Sequence, residues 1–196
     1  PLAAPYASKG TYGFAEYSTT GSAISAVITT SNINTIGYTN TEMSFKLSAL
    51  SVAASTGGQD AGDSVTVSVS PDGGATWYST LKVNGNAASN SVWTYSESGV
   101  ASTPYDGNTS PVLFSATSTG GVTDGTGFST VKITGLPNTS NLRISISMKS
   151  SSNSEYWVID DFKVTGDASS FSILPSYNVV SVSAINKQVT GLSPNT

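Results

Sequence analysis

Carboxylates are the side chains in this sequence that are best suited to chemistry, and they fall into two short clusters. Asp160 and Asp161 are adjacent in the segment YWVIDDFKVTG, while Asp60 and Asp63 lie in the segment GGQDAGD. The 196-residue chain has no histidine and no cysteine, so oxygen atoms have to supply any metal site. Calcium prefers carboxylate and carbonyl oxygens, whereas zinc and copper sites draw on imidazole and thiolate. The composition therefore favours calcium over zinc or copper.

The pair Asp160–Asp161 lies in a segment that alternates like a β-strand. Adjacent side chains of a strand point to opposite faces, so we expect only one of the two carboxylates to point inward. An inward carboxylate beside Trp157 and Ile159 needs compensation, because burying an unpaired charge is costly. A bound cation would supply it. The alternative is an exposed Asp160 and an Asp161 that is satisfied by backbone N–H groups.

The second acidic cluster, residues 57–63, has two interpretations. Aspartate is common in turns because its side chain hydrogen-bonds the nearby backbone. We therefore interpret this segment as a solvated turn. A calcium-binding loop is the alternative, since its oxygen donors would suit that ion.

The pattern of acids and the missing histidine bear on catalysis. Without histidine there is no usual general base and no Ser-His-Asp arrangement. No strand carries acids in an E-x-D-x-E pattern, and Asp160 and Asp161 are expected to diverge rather than flank one glycosidic bond. We therefore predict that the chain is not an enzyme.

Charge and composition narrow the partners and the location. Charged residues make up only 10% of the chain, the net charge is −4, and the eight lysines and arginines are scattered singly. Nucleic-acid binding is therefore not expected. No apolar run is long enough to span a bilayer, so membrane insertion is not expected either. The richness in serine, threonine, glycine and asparagine is typical of secreted or cell-surface proteins.

Alternating apolar residues are the dominant pattern along the chain. These runs are separated by turn-forming clusters, of which Asp72-Gly73-Gly74 is the clearest hairpin signal. Many short strands with such links predict an all-β fold, a two-sheet antiparallel β-sandwich. The alternation slips by one residue at Asp160–Asp161, which predicts a β-bulge there. We place this module at residues 1–166, a linker at 167–172 and the start of a second unit at 173–196.

Three aromatic residues are candidates for ligand binding. Trp93 and Tyr95 share one face of an alternating segment, so both belong either to the core or to a binding platform, and we favour the core. Tyr105 lies in a long Gly/Ser/Thr-rich connection beside Pro104 and Asp106, where we expect an exposed ring.

Three segments resemble the jelly-roll modules of large secreted Bacteroidetes proteins, which are similar to gingipain adhesin domains and to family-4-like carbohydrate-binding modules. They are GYTNTEMSFKLSAL (Gly37–Leu50), GDSVTVSVSPDGGATW (Gly62–Trp77) and YWVIDDFKVTG (Tyr156–Gly166). The resemblance implies a jelly-roll sandwich. It is specific for architecture and not for a ligand.

The same resemblance implies a structural calcium ion. In those modules an aspartate of the last strand binds the ion together with a glutamate near the N-terminus and backbone carbonyls. The corresponding residues here are Asp160 or Asp161 and Glu16. The N-terminal strand departs from the family pattern N-x-x-F-E, because Ala15 stands between Phe14 and Glu16.

The C-terminal segment PSYNVVSVSAINKQVTGLSPNT, residues 175–196, resembles part of a fibronectin type III domain through VTGLSPNT. It reads as two short strands and a turn in an extended tail. A lone two-stranded piece is marginally stable, so we expect either further chain or a partner.

These observations lead to three hypotheses. The first is a non-catalytic carbohydrate-binding or adhesive accessory module that binds a glycan or a surface protein. The second is a structural unit of a surface assembly or filament that self-associates by adding residues 173–196 to a neighbouring sheet. The third is an accessory domain of a larger secreted hydrolase.

Overall fold

Every regular element in the described part of the chain is a β-strand. The computed structural model describes residues 14–16, 24–51, 59–85, 100–115, 129–152 and 155–169. In those residues no helix is long and apolar enough to cross a membrane. The strands are β1 (Phe14–Ala15), β2 (Ile24–Thr29), β3 (Tyr38–Ser51), β4 (Ser64–Ser70), β5 (Tyr78–Asn84), β6 (Val100–Pro104), β7 (Val112–Ser115), β8 (Ser129–Thr134), β9 (Arg143–Ser150) and β10 (Glu155–Ala168).

The strands form two five-stranded sheets, which confirms the predicted all-β sandwich. Their orders are β1-β10-β3-β8-β6 and β2-β9-β4-β5-β7. Without β6 and β7, and apart from the β4–β5 hairpin within one sheet, consecutive strands alternate between the sheets as they do in a jelly roll. The prediction of purely antiparallel pairing was wrong at two edges, where β6 lies parallel to β8 and β7 lies parallel to β5. Both exceptions come from the connection between β5 and β8, which adds one strand to the outer edge of each sheet.

The core lies between the sheets and follows the alternation of the sequence. Val65, Val67 and Val69 of β4 are fully buried, whereas the alternate residues Ser64, Thr66 and Ser68 are half-buried. Trp157 of β10 is fully buried, and its ring N–H donates a hydrogen bond to the Lys149 carbonyl at 3.0 Å. Burying a large aliphatic side chain contributes about 1.5–3 kcal/mol, so this core is the main stabilising element.

Strand β10 is interrupted by two bulges along its pairing with β3. The first lies between Asp160 and Lys163, which confirms the predicted slip, and Asp161 within it has a φ of 53°. The second lies between Thr165 and Asp167, where Asn40 of β3 has a φ of 50°. Positive φ is uncommon outside glycine, and aspartate and asparagine tolerate it best.

The loops lie at two ends of the sandwich, and we name each end after one residue that lies there, Asp63 or Tyr38. The Asp63 end holds the β3–β4 and β9–β10 connections. The Tyr38 end holds the β2–β3, β4–β5 and β8–β9 connections. Strand β10 continues through Ala168, two residues beyond the predicted end of the module at Gly166. The predicted unit at 173–196 lies outside the described residues.

The predicted hairpin between β4 and β5 is confirmed at the Tyr38 end. Gly73 and Gly74 both have positive φ, at 75° and 99°. The Asp72 carboxylate accepts hydrogen bonds from the Thr76 N–H at 2.8 Å and the Ser70 hydroxyl at 2.7 Å. These donors, led by the Thr76 N–H, lower the pKa of Asp72 to about 2.

Candidate functional site

Three carboxylates converge at the Asp63 end of the sandwich. Asp60 and Asp63 lie in the turn before β4, and Glu155 is the first residue of β10. One oxygen from each lies within 4.8 Å of the others. Asp63 is fully buried, Glu155 is 4% exposed and Asp60 is half-buried. We call these three residues the acidic cluster.

The strand pattern explains why the two buried acids point inward. Asp63 is two residues before Val65 and Glu155 is two residues before Trp157, so both continue the core-facing positions of their strands. Gly85, at the end of β5, allows the turn to close. A Cβ at position 85 would lie 1.9 Å from the Asp60 carbonyl oxygen, and the Gly85 N–H donates to the Asp63 carbonyl at 2.9 Å.

Hydrogen bonds from the protein hold the cluster in place. Asp63 accepts the Ser151 N–H at 2.6 Å and the Asp60 N–H at 2.7 Å. Asp60 accepts the Gly62 N–H at 2.8 Å, and Glu155 accepts the Ser151 hydroxyl at 3.2 Å. The β9–β10 connection and the turn before β4 are therefore tied together through these carboxylates.

Glu16 reaches the same end of the sandwich from β1. Its N–H donates to the Trp157 carbonyl at 3.0 Å, and its Oε2 accepts the Ser150 hydroxyl at 2.5 Å. Glu16 is only 1% exposed, and its Oε1 has no hydrogen-bond partner among the described residues. Burial, and then the charge of Asp63, raises the pKa of Glu16, so these two carboxyls interact. A fourth buried carboxylate thus adjoins the acidic cluster with one oxygen free to bind.

The electrostatics of this region are unfavourable for four ionised acids. Burial raises the pKa of Glu16 and of Asp63. Burial, followed by the charges of Asp63 and Asp60, raises the pKa of Glu155 to about 7. The groups that act on these carboxyls are hydrogen-bond donors and other carboxyls. A divalent cation would relieve both the burial of charge and the repulsion.

The donor set fits calcium. All of the side-chain donors here are oxygen atoms from carboxylates, which is the chemistry that this ion prefers. The interpretation of residues 57–63 as a solvated turn was wrong at Asp63, which is fully buried. The reason is that this aspartate occupies a core-facing strand position rather than the tip of the turn.

Asp160 and Asp161 lie elsewhere, in a cavity of about 250 Å³ at the open edge between the sheets. Both residues line this cavity and are half-buried, and the Asp160 carboxylate accepts the Asp161 N–H at 2.7 Å. The expectation that only one of them points inward stays a prediction. The positive φ of Asp161 at the bulge breaks the strand alternation. The remaining lining residues are mostly apolar: Phe14, Ile28, Thr30, Ile144, Ile146, Ile159 and Phe162. The structure thus brings the two aspartates together and places Glu16 with the acidic cluster instead.

The aromatic candidates are only partly within the described residues. Trp93 and Tyr95 lie outside them. Tyr105 is half-buried rather than exposed, because its ring packs against the core and makes an edge-to-face contact with Tyr78 at 6.0 Å between centroids. A ligand-binding role for these three residues stays a prediction.

Glu155 is the site residue that the sequence analysis missed. A signal was present, because Glu155, Trp157 and Ile159 occupy alternate positions of one strand. An acid at the start of a core-facing series is a sign of a compensated buried charge.

The fold and the acidic cluster define a jelly-roll β-sandwich with a closed acidic site at one end. No protein-family model and no curated protein matches the chain. A solved structure of TmCBM61 in complex with beta-1,4-galactotriose is similar at a TM-score of 0.46 and 12% sequence identity, over 83% of this chain and 75% of that chain. A match at this level does not establish a common fold, whereas the strand order itself defines the jelly roll.

Proposed function

We propose that this chain is a non-catalytic carbohydrate-binding or adhesive accessory module of a secreted or cell-surface protein, and that a structural calcium ion holds one end of it. The observation that carries the calcium part of the proposal is the convergence of Asp60, Asp63 and Glu155 within 4.8 Å. The buried Glu16 is close enough for the charge of Asp63 to act on it. This arrangement suits an ion that is part of the fold.

The ion has a structural role in this proposal. Asp60 and Asp63 would bind it from the turn before β4, Glu155 from the start of β10, and Glu16 from the end of β1. Calcium supplies positive charge that compensates several buried carboxylates at once. It would therefore fasten the short strand β1 to the rest of the sandwich, in a chain that has no disulfide.

Burial argues against a catalytic role for the same acids. Asp63 and Glu155 are closed to solvent, and both oxygens of Asp63 already accept backbone N–H groups. Glycosidase carboxylates must instead flank a bond of a bound sugar and reach it directly. A substrate has no comparable access to these two carboxyls.

The carbohydrate-binding or adhesive part of the proposal is supported by the resemblance of residues 37–50, 62–77 and 156–166 to secreted jelly-roll modules. The low content of charged residues, 10%, agrees with a secreted or surface location. A fibronectin type III-like continuation at residues 175–196 belongs to the same proposal.

The test is binding of the purified 196-residue chain, kept in excess calcium, to a broad glycan array. We expect saturable binding to at least one class of glycan. A folded and calcium-loaded chain that binds no glycan would contradict the carbohydrate-binding proposal, and leave adhesion to a protein as the function to test.

A further inference from the structure

Tyr38 is an exposed aromatic ring at the end of the sandwich opposite the acidic cluster. It is the first residue of β3 and is 45% exposed. The half-buried Tyr105 is engaged with Tyr78, whereas the Tyr38 ring stands beside two open cavities. An exposed ring next to a cavity is available for stacking on a ligand.

Two cavities, of about 310 and 520 Å³, adjoin each other at this residue. Tyr38 and Thr41 line both of them. The other polar lining side chains are mainly amides and hydroxyls: Asn34, Thr39, Asn40, Thr134, Asn138 and Thr165. Amides and hydroxyls both donate and accept hydrogen bonds, which matches the hydroxyl groups of a sugar.

The floor of these cavities is already held rigid by hydrogen bonds. The Thr35 hydroxyl bonds the carbonyls of Pro137 and Thr139 at 2.7 and 2.9 Å, and the Thr41 hydroxyl donates to the Leu136 carbonyl at 2.9 Å. These bonds join the β2–β3 connection and the start of β3 to the β8–β9 connection. A surface that is organised before binding loses less conformational freedom when a ligand arrives.

The backbone next to Tyr38 departs from regular strand geometry at two residues, Gly166 and Asn40. Gly166 lies in the second bulge of β10, and a Cβ there would lie 2.9 Å from the Thr41 Cγ2 and 3.3 Å from the Tyr38 Cβ. Opposite it, Asn40 has positive φ and donates its side-chain amide to Asp167 at 2.8 Å. Bulges and positive φ at non-glycine residues are enriched at functional sites, where they re-aim side chains.

The charged side chains near the two cavities disfavour negatively charged ligands. Glu42 lines the larger cavity and forms an ion pair with Lys132, and Asp167 lies beside Asn40. No lysine or arginine is among the described residues that line the two cavities, so nothing there attracts an anionic glycan, and the Asp167 carboxylate would repel one. The surface is therefore suited to uncharged ligands.

We infer that the Tyr38 surface, made of Tyr38 and the amide and hydroxyl side chains of the two cavities, is the binding site for a neutral oligosaccharide. This inference rests on the proposed carbohydrate-binding function and names its site and ligand class. The Tyr38 ring stacks on the C–H face of a sugar unit. The asparagines and threonines on either side bond the hydroxyl groups of its neighbours.

The test is isothermal titration calorimetry of the 196-residue chain in excess calcium. The probes are neutral tetraoses of glucose, xylose, mannose and galactose, with a tetraose of galacturonic acid as the charged counterpart. We expect binding of a neutral tetraose, and Tyr38→Ala to weaken it about tenfold or more. Tyr38→Phe, which keeps the ring, retains most of the affinity. The matched control is Phe162→Ala, which removes another exposed ring, 39% exposed, from the other cavity. It leaves binding unchanged.

The outcomes separate this inference from the function on which it rests. If the native chain binds a neutral tetraose and Tyr38→Ala binds equally well, the Tyr38 site is wrong and the function stands. If it binds none of the probes, this inference is overturned, and the glycan array decides separately whether the carbohydrate-binding proposal stands. If it binds the galacturonic acid tetraose more tightly than the neutral tetraoses, the inference that the ligand is uncharged is wrong. If Tyr38→Ala lowers the melting temperature enough to unfold the protein, Asn138→Ala takes its place, because Asn138 is exposed and lines the same cavity.

Discussion

Replacing Glu155 with glutamine should stabilise the metal-free protein and weaken its response to calcium. Glu155 is 4% exposed, and burial together with the charges of Asp63 and Asp60 raises its pKa from 4.5 to about 7. The unfolded chain therefore releases this proton near pH 4.5, while the folded chain keeps it until about pH 7. As pH rises through this interval the metal-free native protein loses stability, and above about pH 7 the loss is complete.

The size of this loss follows from the two pKa values. The difference between 4.5 and about 7, at roughly 1.4 kcal/mol for each pH unit, corresponds to about 3.5 kcal/mol. Glutamine cannot ionise, so Glu155→Gln avoids the loss and its side-chain oxygen can still accept the Ser151 hydroxyl. A change of this size corresponds to a rise of roughly 7–14 °C in melting temperature for a domain of this length.

The assay is thermal unfolding at pH 8 and at pH 4.5, each in EDTA and in excess calcium. In EDTA, Glu155→Gln melts higher than the native chain at pH 8 and close to it at pH 4.5. In calcium at pH 8 the order reverses, because the variant has lost a ligand. Glu42→Gln is the control, since its carboxylate forms a surface ion pair with Lys132 and such pairs contribute at most about 1 kcal/mol. A Glu155→Gln protein that melts lower than the native chain in EDTA at pH 8 would refute the reasoning.

Two further substitutions test the surroundings of the cluster and the opposite hairpin. Gly85→Ala should cost about 1–3 kcal/mol of unfolding free energy and weaken calcium binding, because its Cβ would lie 1.9 Å from the Asp60 carbonyl oxygen. Chemical denaturation measures the first effect and calorimetry the second. Unchanged stability and calcium affinity would show that the turn before β4 moves freely. Asp72→Asn should lower the melting temperature at pH 7. The difference should shrink as pH falls from about 4 through 2, because the pKa of Asp72 is held at about 2 by the Thr76 N–H and the Ser70 hydroxyl. A constant difference across that range would count against this account of the hairpin.

Alternation in the sequence was sufficient to predict the sandwich and most of its core. The valines of β4 and the β10 residues Trp157 and Ile159 are buried as the alternation requires. The bulge at Asp160–Asp161 was also predictable, because it shows as a slip in that same alternation. These features depend on the chemistry of neighbouring residues in one strand.

The parallel pairing of β6 and β7 could not be predicted in the same way. Val100–Pro104 and Val112–Ser115 are short, and nothing in their own sequences says which distant strand each one joins. The positive φ of Asp161 was likewise hidden, because the alternation shows that the strand slips but not which backbone angles it adopts there. Alternation assumes regular extended backbone, and it fails where the backbone turns.

The acidic cluster joins residues that are far apart in the sequence. Asp63 and Glu155 are neighbours only because β4 and β10 both approach the β9–β10 connection, where Ser151 bonds both carboxylates. The sequence alone shows that each acid lies two residues from a core residue of its strand and therefore on the same face of it. Their convergence on one point required the order of the strands. In the same way, Gly37 to Asn40 showed a resemblance to known modules, but the larger cavity beside Tyr38 depends on the distant β8–β9 connection.

Calcium titration of the metal-free 196-residue chain by isothermal calorimetry at pH 8 tests the central claim most directly. The account predicts one ion per chain, loss of that binding in Asp63→Asn, and unchanged affinity in Asp161→Ala, because Asp161 lines the apolar cavity and Asp63 lies in the acidic cluster. No binding by the native chain would contradict the calcium site altogether. Binding that is lost in Asp161→Ala and kept in Asp63→Asn would place the ion at the open edge of the sandwich instead.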